Sequence, residues 1–230
     1  MGYKILWPMM RWSDDRHIEL DAVGDEHEAI FANRLGDVTD EQWAEADVVV
    51  SAPDIPPEFR HKLEKCRIFI TPKVGFDNID LAGWGAMGIP VSNVPDYGTM
   101  EVADHAIALM MSLMKGITFH TRELKDDIKG NWRPALNPYG RRLSDCTFGV
   151  LGLGRIGTAA ALRAKAFGMN VVFYDPYLPN GADLAVGVTR VHSLNDLMGI
   201  SDVLSVHVPL STETEKMLNA DAFKHAKPGM

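Results

Sequence analysis

The sequence predicts an α/β chain built from two parallel-sheet domains, residues 1–98 and 99–230. Three observations carry this. Short apolar runs alternate with amphipathic stretches along the chain, the pattern of strands joined by crossover helices. Gly152-Leu153-Gly154-Arg155-Ile156-Gly157 stands between one such run and a helical stretch. The next apolar run ends in Asp175, 18 residues after Gly157.

In the first domain, Lys4 to Trp7 reads as a strand, and Pro8 follows too soon for a signal-peptide core. Thr39 with Gln42 fits a capping box opening a short helix. The run Asp47 to Ser51 is a second strand. Asp54-Ile55-Pro56-Pro57 places proline in the first turn of a helix running to about Lys65. Cys66 to Ile70 is a third strand. Ile79 to Met87 reads as a helix stopped by Gly88, and Ile89-Pro90-Val91 as a short strand.

A turn-like stretch, Asn93 to Thr99, leads into a long helix. Val102, Ala106, Leu109, Met110, Leu113 and Met114 recur there at helical spacing and read as core. This helix is the natural connector between the domains. Lys125 to Arg142, with Gly130, Pro134, Pro138 and Gly140, reads as a surface loop. Thr147 to Leu151 is the strand before the glycine motif, Thr158 to Phe167 the helix after it, and Val171 to Tyr174 the next strand. Val188 to Val191 and Asp202 to Val208 complete four strands. A helix from about Glu213 to Ala226 follows, and Met230 begins a fifth strand. A doubly wound dinucleotide sheet has six strands, so the second domain reads as lacking its last ones. The edge of the fourth strand would then be open to association.

The glycine motif explains itself chemically. Gly152 permits a tight turn, Gly154 lets backbone approach a pyrophosphate, and Gly157 lets the helix pack close to the sheet. The helix N-terminus offers free N–H groups to phosphates at Arg155 and Ile156. Asp175 would accept hydrogen bonds from the adenosine ribose and repel a 2′-phosphate, which favours NAD over NADP.

Composition narrows the partners. Apolar residues make up 46% of the chain and charged residues 23%, as in a globular protein. A net charge of −8 argues against electrostatic binding to nucleic acid or an anionic membrane. No apolar run reaches the roughly 18 residues of a spanning helix. Cys66 and Cys146 are far apart and adjoin strands, so they read as buried reduced thiols of a cytoplasmic protein. No H-E-x-x-H, cysteine cluster or P-loop supports a metal or nucleoside-triphosphate site.

Taken together, the motifs resemble the D-isomer-specific 2-hydroxyacid dehydrogenases. Val74 to Leu81 is similar to that family's substrate loop, and Gly88 to Pro95 with Val102 to Ala106 to its crossover. Gly152 to Gly157 with Asp175 is similar to its NAD motif, and Ser201 to Leu210 to the strand under the nicotinamide. The resemblance implies a flavodoxin-like substrate domain over 1–98 and an NAD-binding Rossmann domain over 99–230. It implies that backbone N–H groups of Val74 and Gly75 hold the substrate carboxylate. Lys73, where the family often has glycine, would add a positive charge there or remain a solvated loop lysine. Arg11 and Trp12 would line the cleft. His207 would be a cofactor-side residue, Val208 and Pro209 would pack near the nicotinamide, and Thr214 would add a polar contact. The family's catalytic Arg, Glu and His correspond to positions beyond Met230, so no catalytic residue is assigned.

The expected activity is an NAD-dependent transfer of hydride between the nicotinamide and a small D-2-hydroxy or 2-keto acid, in a homodimer formed through Val102 to Met114. Tyr174-Asp175-Pro176-Tyr177-Leu178 resembles the corepressor branch that contains the C-terminal-binding proteins. That motivates an alternative: an NAD(H)-sensing interaction protein without efficient turnover.

Overall fold

Two parallel sheets organise the computed structural model, which describes residues 2–10, 16–132 and 140–230. One sheet belongs to the unit Met1–Tyr97, the other to the unit Gly98–Met230.

The first unit runs β1 (Lys4–Trp7), α1 (His17–Val23), β2 (Glu28–Phe31), α2 (Asp40–Glu45), β3 (Val48–Val50), α3 (Pro57–Arg60), β4 (Ile68–Thr71), α4 (Leu81–Ala86) and β5 (Val91–Asn93). Its five strands are all parallel in the order β2-β1-β3-β4-β5. That is the flavodoxin-like order expected from the resemblance. Leu6, Val49 and Phe69 point into a core shared with Trp43, Ile55 and Trp84. Phe69 and Trp84 stack with ring centroids 4.4 Å apart. The capping box forms as expected: the Gln42 N–H donates to Thr39 Oγ1 at 3.2 Å and the Thr39 N–H to Gln42 Oε1 at 2.9 Å.

Three details differ from the sequence reading. Helix α1 and edge strand β2 were not anticipated; no residue of β2 is fully buried, so its apolar signal is weak. Helix α3 ends at Arg60 rather than near Lys65. Arg60 turns inward, is buried, and pairs with Asp80 at 2.7 Å. The last strand begins at Val91, because Pro90 has no N–H to give a ladder. Its carbonyl still accepts the Phe69 N–H at 3.0 Å.

The second unit runs α5 (Thr99–Met114), α6 (Ile117–Asp126), α7 (Ile128–Asn131), β6 (Thr147–Leu151), α8 (Arg155–Ala166), β7 (Asn170–Tyr174), α9 (Ala182–Val186), β8 (Thr189–Arg190), α10 (Leu194–Ile200), β9 (Val203–Val206) and α11 (Ala220–Phe223). The strands are parallel in the order β8-β7-β6-β9. This matches the first four strands of a dinucleotide-binding sheet, with the switch in strand order beside β6. Phe148, Val150, Val171 and Phe173 pack with Ala161 and Ala164 of α8 and with Ile107, Met110 and Met114 of α5.

The apolar stripe read on α5 divides. Met110 and Met114 are core, as expected, whereas Val102, Leu109 and Leu113 are exposed. Part of the predicted 125–142 loop is helical instead. Asp127 starts α7 by accepting the N–H groups of Lys129 and Gly130 at 3.1 and 2.9 Å. The prolines of that loop, like Arg11 and Trp12, lie outside the described residues. The predicted helix from Glu213 to Ala226 shrinks to α11, because Ser211 and Thr214 close a turn ahead of it. Cys66 and Cys146 are free thiols, and burial pushes the Cys66 thiol up to about 11. Among the described residues no single helix is long and apolar enough to cross a membrane.

Candidate functional site

A cleft of about 640 Å³ opens at the carboxyl ends of β6, β7 and β9, within the second unit. Gly152, Gly154, Asp175, Tyr177, His207 and Thr214 are among the residues that line it. Ligands of open α/β sheets bind at this end, beside the switch in strand order.

The three glycines meet three different demands. Gly152 has φ +89°, which L side chains rarely adopt. A Cβ at Gly157 would lie 2.0 Å from the Gly152 carbonyl oxygen, so only glycine lets α8 approach the turn. Gly154 is different. Its φ of −75° suits any residue, and a Cβ there would meet no protein atom within 4 Å. Among the described residues nothing requires a glycine at 154; the space beside it belongs to the cleft. No side chain caps α8, so its first N–H groups remain available. Arg155 is exposed at this helix start, and Ile156 is half-buried. An uncapped twelve-residue helix behind an open glycine fits the pyrophosphate of a dinucleotide.

Asp175 sits at the end of β7 and is already engaged. Its Oδ2 accepts the Leu153 N–H and its Oδ1 the Tyr177 N–H, both at 3.0 Å. The first bond ties the acid to the glycine turn, and each oxygen keeps a second lone pair for a ligand hydroxyl. Arg190 holds the turn from behind. Its guanidinium donates to the carbonyl oxygens of Asp175 and Leu178, each at 3.2 Å, and of Pro179 at 2.8 Å. Sequence reasoning missed Arg190, since nothing local marks a contact reaching back from β8.

On the other wall, the His207 N–H donates to the Leu151 carbonyl at 2.8 Å. Its Nε2 lies 2.8 Å from Ser205 Oγ, and burial holds the imidazole below its ordinary pKa. Val208 is half-buried and packs under Gly152. The Thr214 hydroxyl donates to the Pro209 carbonyl at 2.5 Å and accepts the Ser211 N–H at 2.8 Å, so it braces the loop. Across the mouth, the Tyr177 hydroxyl donates to the Glu213 carboxylate. Glu213 carried no signal in the sequence.

Lys73, Val74 and Gly75 form a loop after β4 in the first unit. Asn93 Nδ2 donates to the Val74 carbonyl at 2.8 Å, and the Val94 N–H to the Lys73 carbonyl at 3.1 Å. Lys73 Nζ donates to Asn78 Oδ1 at 2.7 Å. With the carbonyls of Lys73 and Val74 anchored, the N–H groups of Val74 and Gly75 have no acceptor among the described residues.

The profile of the D-isomer specific 2-hydroxyacid dehydrogenase NAD binding domain matches residues 107–230. C-terminal-binding protein 1 of Caenorhabditis elegans is 33% identical over 177 residues, covering 74% of this chain and 24% of that protein. D-3-phosphoglycerate dehydrogenase of Methanocaldococcus jannaschii is 35% identical over 187 residues, covering 79% of this chain and 34% of that protein. The chain thus spans about a quarter of the length of the first relative and about a third of the second. The crystal structure of D-lactate dehydrogenase from Aquifex aeolicus, complexed with NAD and lactic acid, superposes with a TM-score of 0.78 at 27% identity. That superposition covers 97% of this chain and 66% of the other. The matched profile takes in every residue that lines the cleft. The chain therefore belongs to the D-isomer specific 2-hydroxyacid dehydrogenases, and its second unit carries the family's NAD-binding domain.

Proposed function

We propose that this protein is an NAD-dependent oxidoreductase acting on a small D-2-hydroxy acid or the matching 2-keto acid. Bound NAD supplies the hydride acceptor, and NADH the donor, for carbon 2 of the substrate. The chain's own residues bind and orient. The observation that carries the reading is Gly154: a glycine with no steric reason among the described residues, facing an open cleft at an uncapped helix start. Arg155 and Ile156 present the first-turn N–H groups to the pyrophosphate. Asp175 holds the adenosine ribose and disfavours a 2′-phosphate. Val208, Pro209 and His207 form the wall toward the nicotinamide.

The unpaired N–H groups of Val74 and Gly75 are the proposed cradle for the substrate carboxylate, with Lys73 adding charge. Residues 1–98 would then be the substrate domain and 99–230 the cofactor domain. A homodimer is part of the same reading: Val102, Leu109 and Leu113 form one exposed apolar face on α5. So is a cytoplasmic setting, which suits two free thiols.

A second reading has its own support in the likeness to C-terminal-binding protein 1. Here the domain senses NAD(H) and controls assembly. One experiment separates the two: titrate the protein with NADH by fluorescence, then assay reduction of a panel of short 2-keto acids. Binding with turnover supports the enzyme. Binding without turnover, in a chain that carries the family's catalytic Arg, Glu and His, supports the sensor. Absence of binding overturns both.

A further inference from the structure

We propose that Glu213 is a second selectivity residue of the cleft, a carboxylate held across its mouth by Tyr177, so that discrimination against a 2′-phosphate does not rest on Asp175 alone. This rests on the dinucleotide reading above.

The two walls of the cleft are separately fixed. The turn after β7 is set by the Tyr177 N–H on Asp175 Oδ1 and by Arg190 on three carbonyls. The segment after β9 is set by Thr214 on the Pro209 carbonyl. The bond from the Tyr177 hydroxyl to Glu213 joins these walls. Asp175, Tyr177 and Glu213 all line the one cleft. The bridge is not needed to satisfy buried groups, because Tyr177 is 75% exposed and Glu213 is also exposed. The fold therefore does not account for it.

The two carboxylates differ in what surrounds them. Both oxygens of Asp175 already receive backbone N–H groups, and the Arg190 guanidinium lies against the same turn. Its field toward the cleft is partly offset. Glu213 has only a neutral phenol. Among the described residues no ammonium or guanidinium lies within ion-pair distance of it, and nearby Lys216 pairs with Glu215 at 3.4 Å instead. Glu213 also pushes the Tyr177 phenol pKa up, which keeps the donor protonated. A phosphate on the adenosine ribose would thus face a second, uncompensated negative charge. Ribose hydroxyls would instead meet an acceptor. Exclusion of the wrong ligand by a placed like charge is a usual route to specificity.

The test is the ratio of dissociation constants, NADPH over NADH, read by fluorescence at low salt for the 230-residue chain. The wild-type chain should prefer NADH. Glu213→Gln should lower the ratio about fivefold, the scale of one partly screened charge at cleft distance. That change should shrink at about 0.5 M salt, where screening is strong. Glu213→Asp should keep the wild-type ratio, and Tyr177→Phe should lower it about twofold. A wild-type chain that binds NADH, with an unmoved ratio in Glu213→Gln at low salt, overturns this proposal alone. A wild-type chain that binds neither nucleotide overturns the dinucleotide reading and this proposal with it.

Discussion

The Gly152 carbonyl oxygen lies 2.0 Å from where a Cβ on residue 157 would sit, so the first and third glycines of the motif are locked together. Residue 154, between them, faces open space. The two positions should therefore fail in different ways. Gly157→Ala should cost about 2–3 kcal/mol by overpacking against backbone that cannot yield. The unfolding temperature of the second unit should fall by about 5–10 °C. Gly154→Ala should leave that temperature within a degree or two and weaken NADH binding about tenfold or more. Calorimetry and a fluorescence titration on the same samples check both. Equal thermal losses in the two variants would contradict the assignment of Gly154 to the ligand.

Asp175 combines a structural and a selective task. Replacing it by Arg removes the acceptors for the Leu153 and Tyr177 N–H groups. A stability loss of about 1–2 kcal/mol should follow. Charge reversal beside the ribose should also move preference toward NADPH by about tenfold or more. Unchanged cofactor selectivity in Asp175→Arg would remove the selective role.

Burial lowers the pKa of His207 below its ordinary 6.5. The folded chain therefore holds this ring neutral while the unfolded chain still takes up a proton near 6.5. Stability from this group is fully present above that pH. It is lost as pH falls from 6.5 toward the lower folded value. An NMR titration of the ring should give a midpoint under 6.5. Urea unfolding of His207→Gln should show a smaller fall in stability between about pH 6.5 and 5 than the wild type. A wild-type midpoint at or above 6.5 would contradict this.

What was legible in the sequence was local. The glycine turn, the Thr39–Gln42 box and the strands around Val49 and Val150 each follow from neighbours within a few residues. The misread segments are those where a side chain competes with the backbone or a distant partner decides. Ser211 and Thr214 spend their hydroxyls on their own loop and stop a helix that the pattern suggested. Strand β2 forms because β1 pairs with it, Lys4 opposite Glu28, and not because its own residues are strongly apolar. On α5 the periodicity located the helix. It did not separate the face that packs on α8 from the face left to solvent, since both carry apolar side chains. Arg190 and Glu213 shape the cleft from 15 and 38 positions beyond Asp175 along the chain, too far for any spacing rule to connect them.

Lys73 allows a sharp test of the proposed carboxylate cradle. Its loop is pinned through carbonyls, by Asn93 on Val74 and by the Val94 N–H on Lys73 itself. Those bonds do not involve the ammonium, which among the described residues donates to Asn78. Lys73→Ala should therefore keep the loop and remove one positive charge. If that charge holds the substrate carboxylate in the ground state and the transition state alike, KM for a short 2-keto acid should rise about tenfold with kcat little changed. Lys73→Arg should stay close to the wild-type KM, because the charge remains. An unaltered KM in Lys73→Ala would assign the lysine to solvent and leave the carboxylate to the N–H groups of Val74 and Gly75 alone.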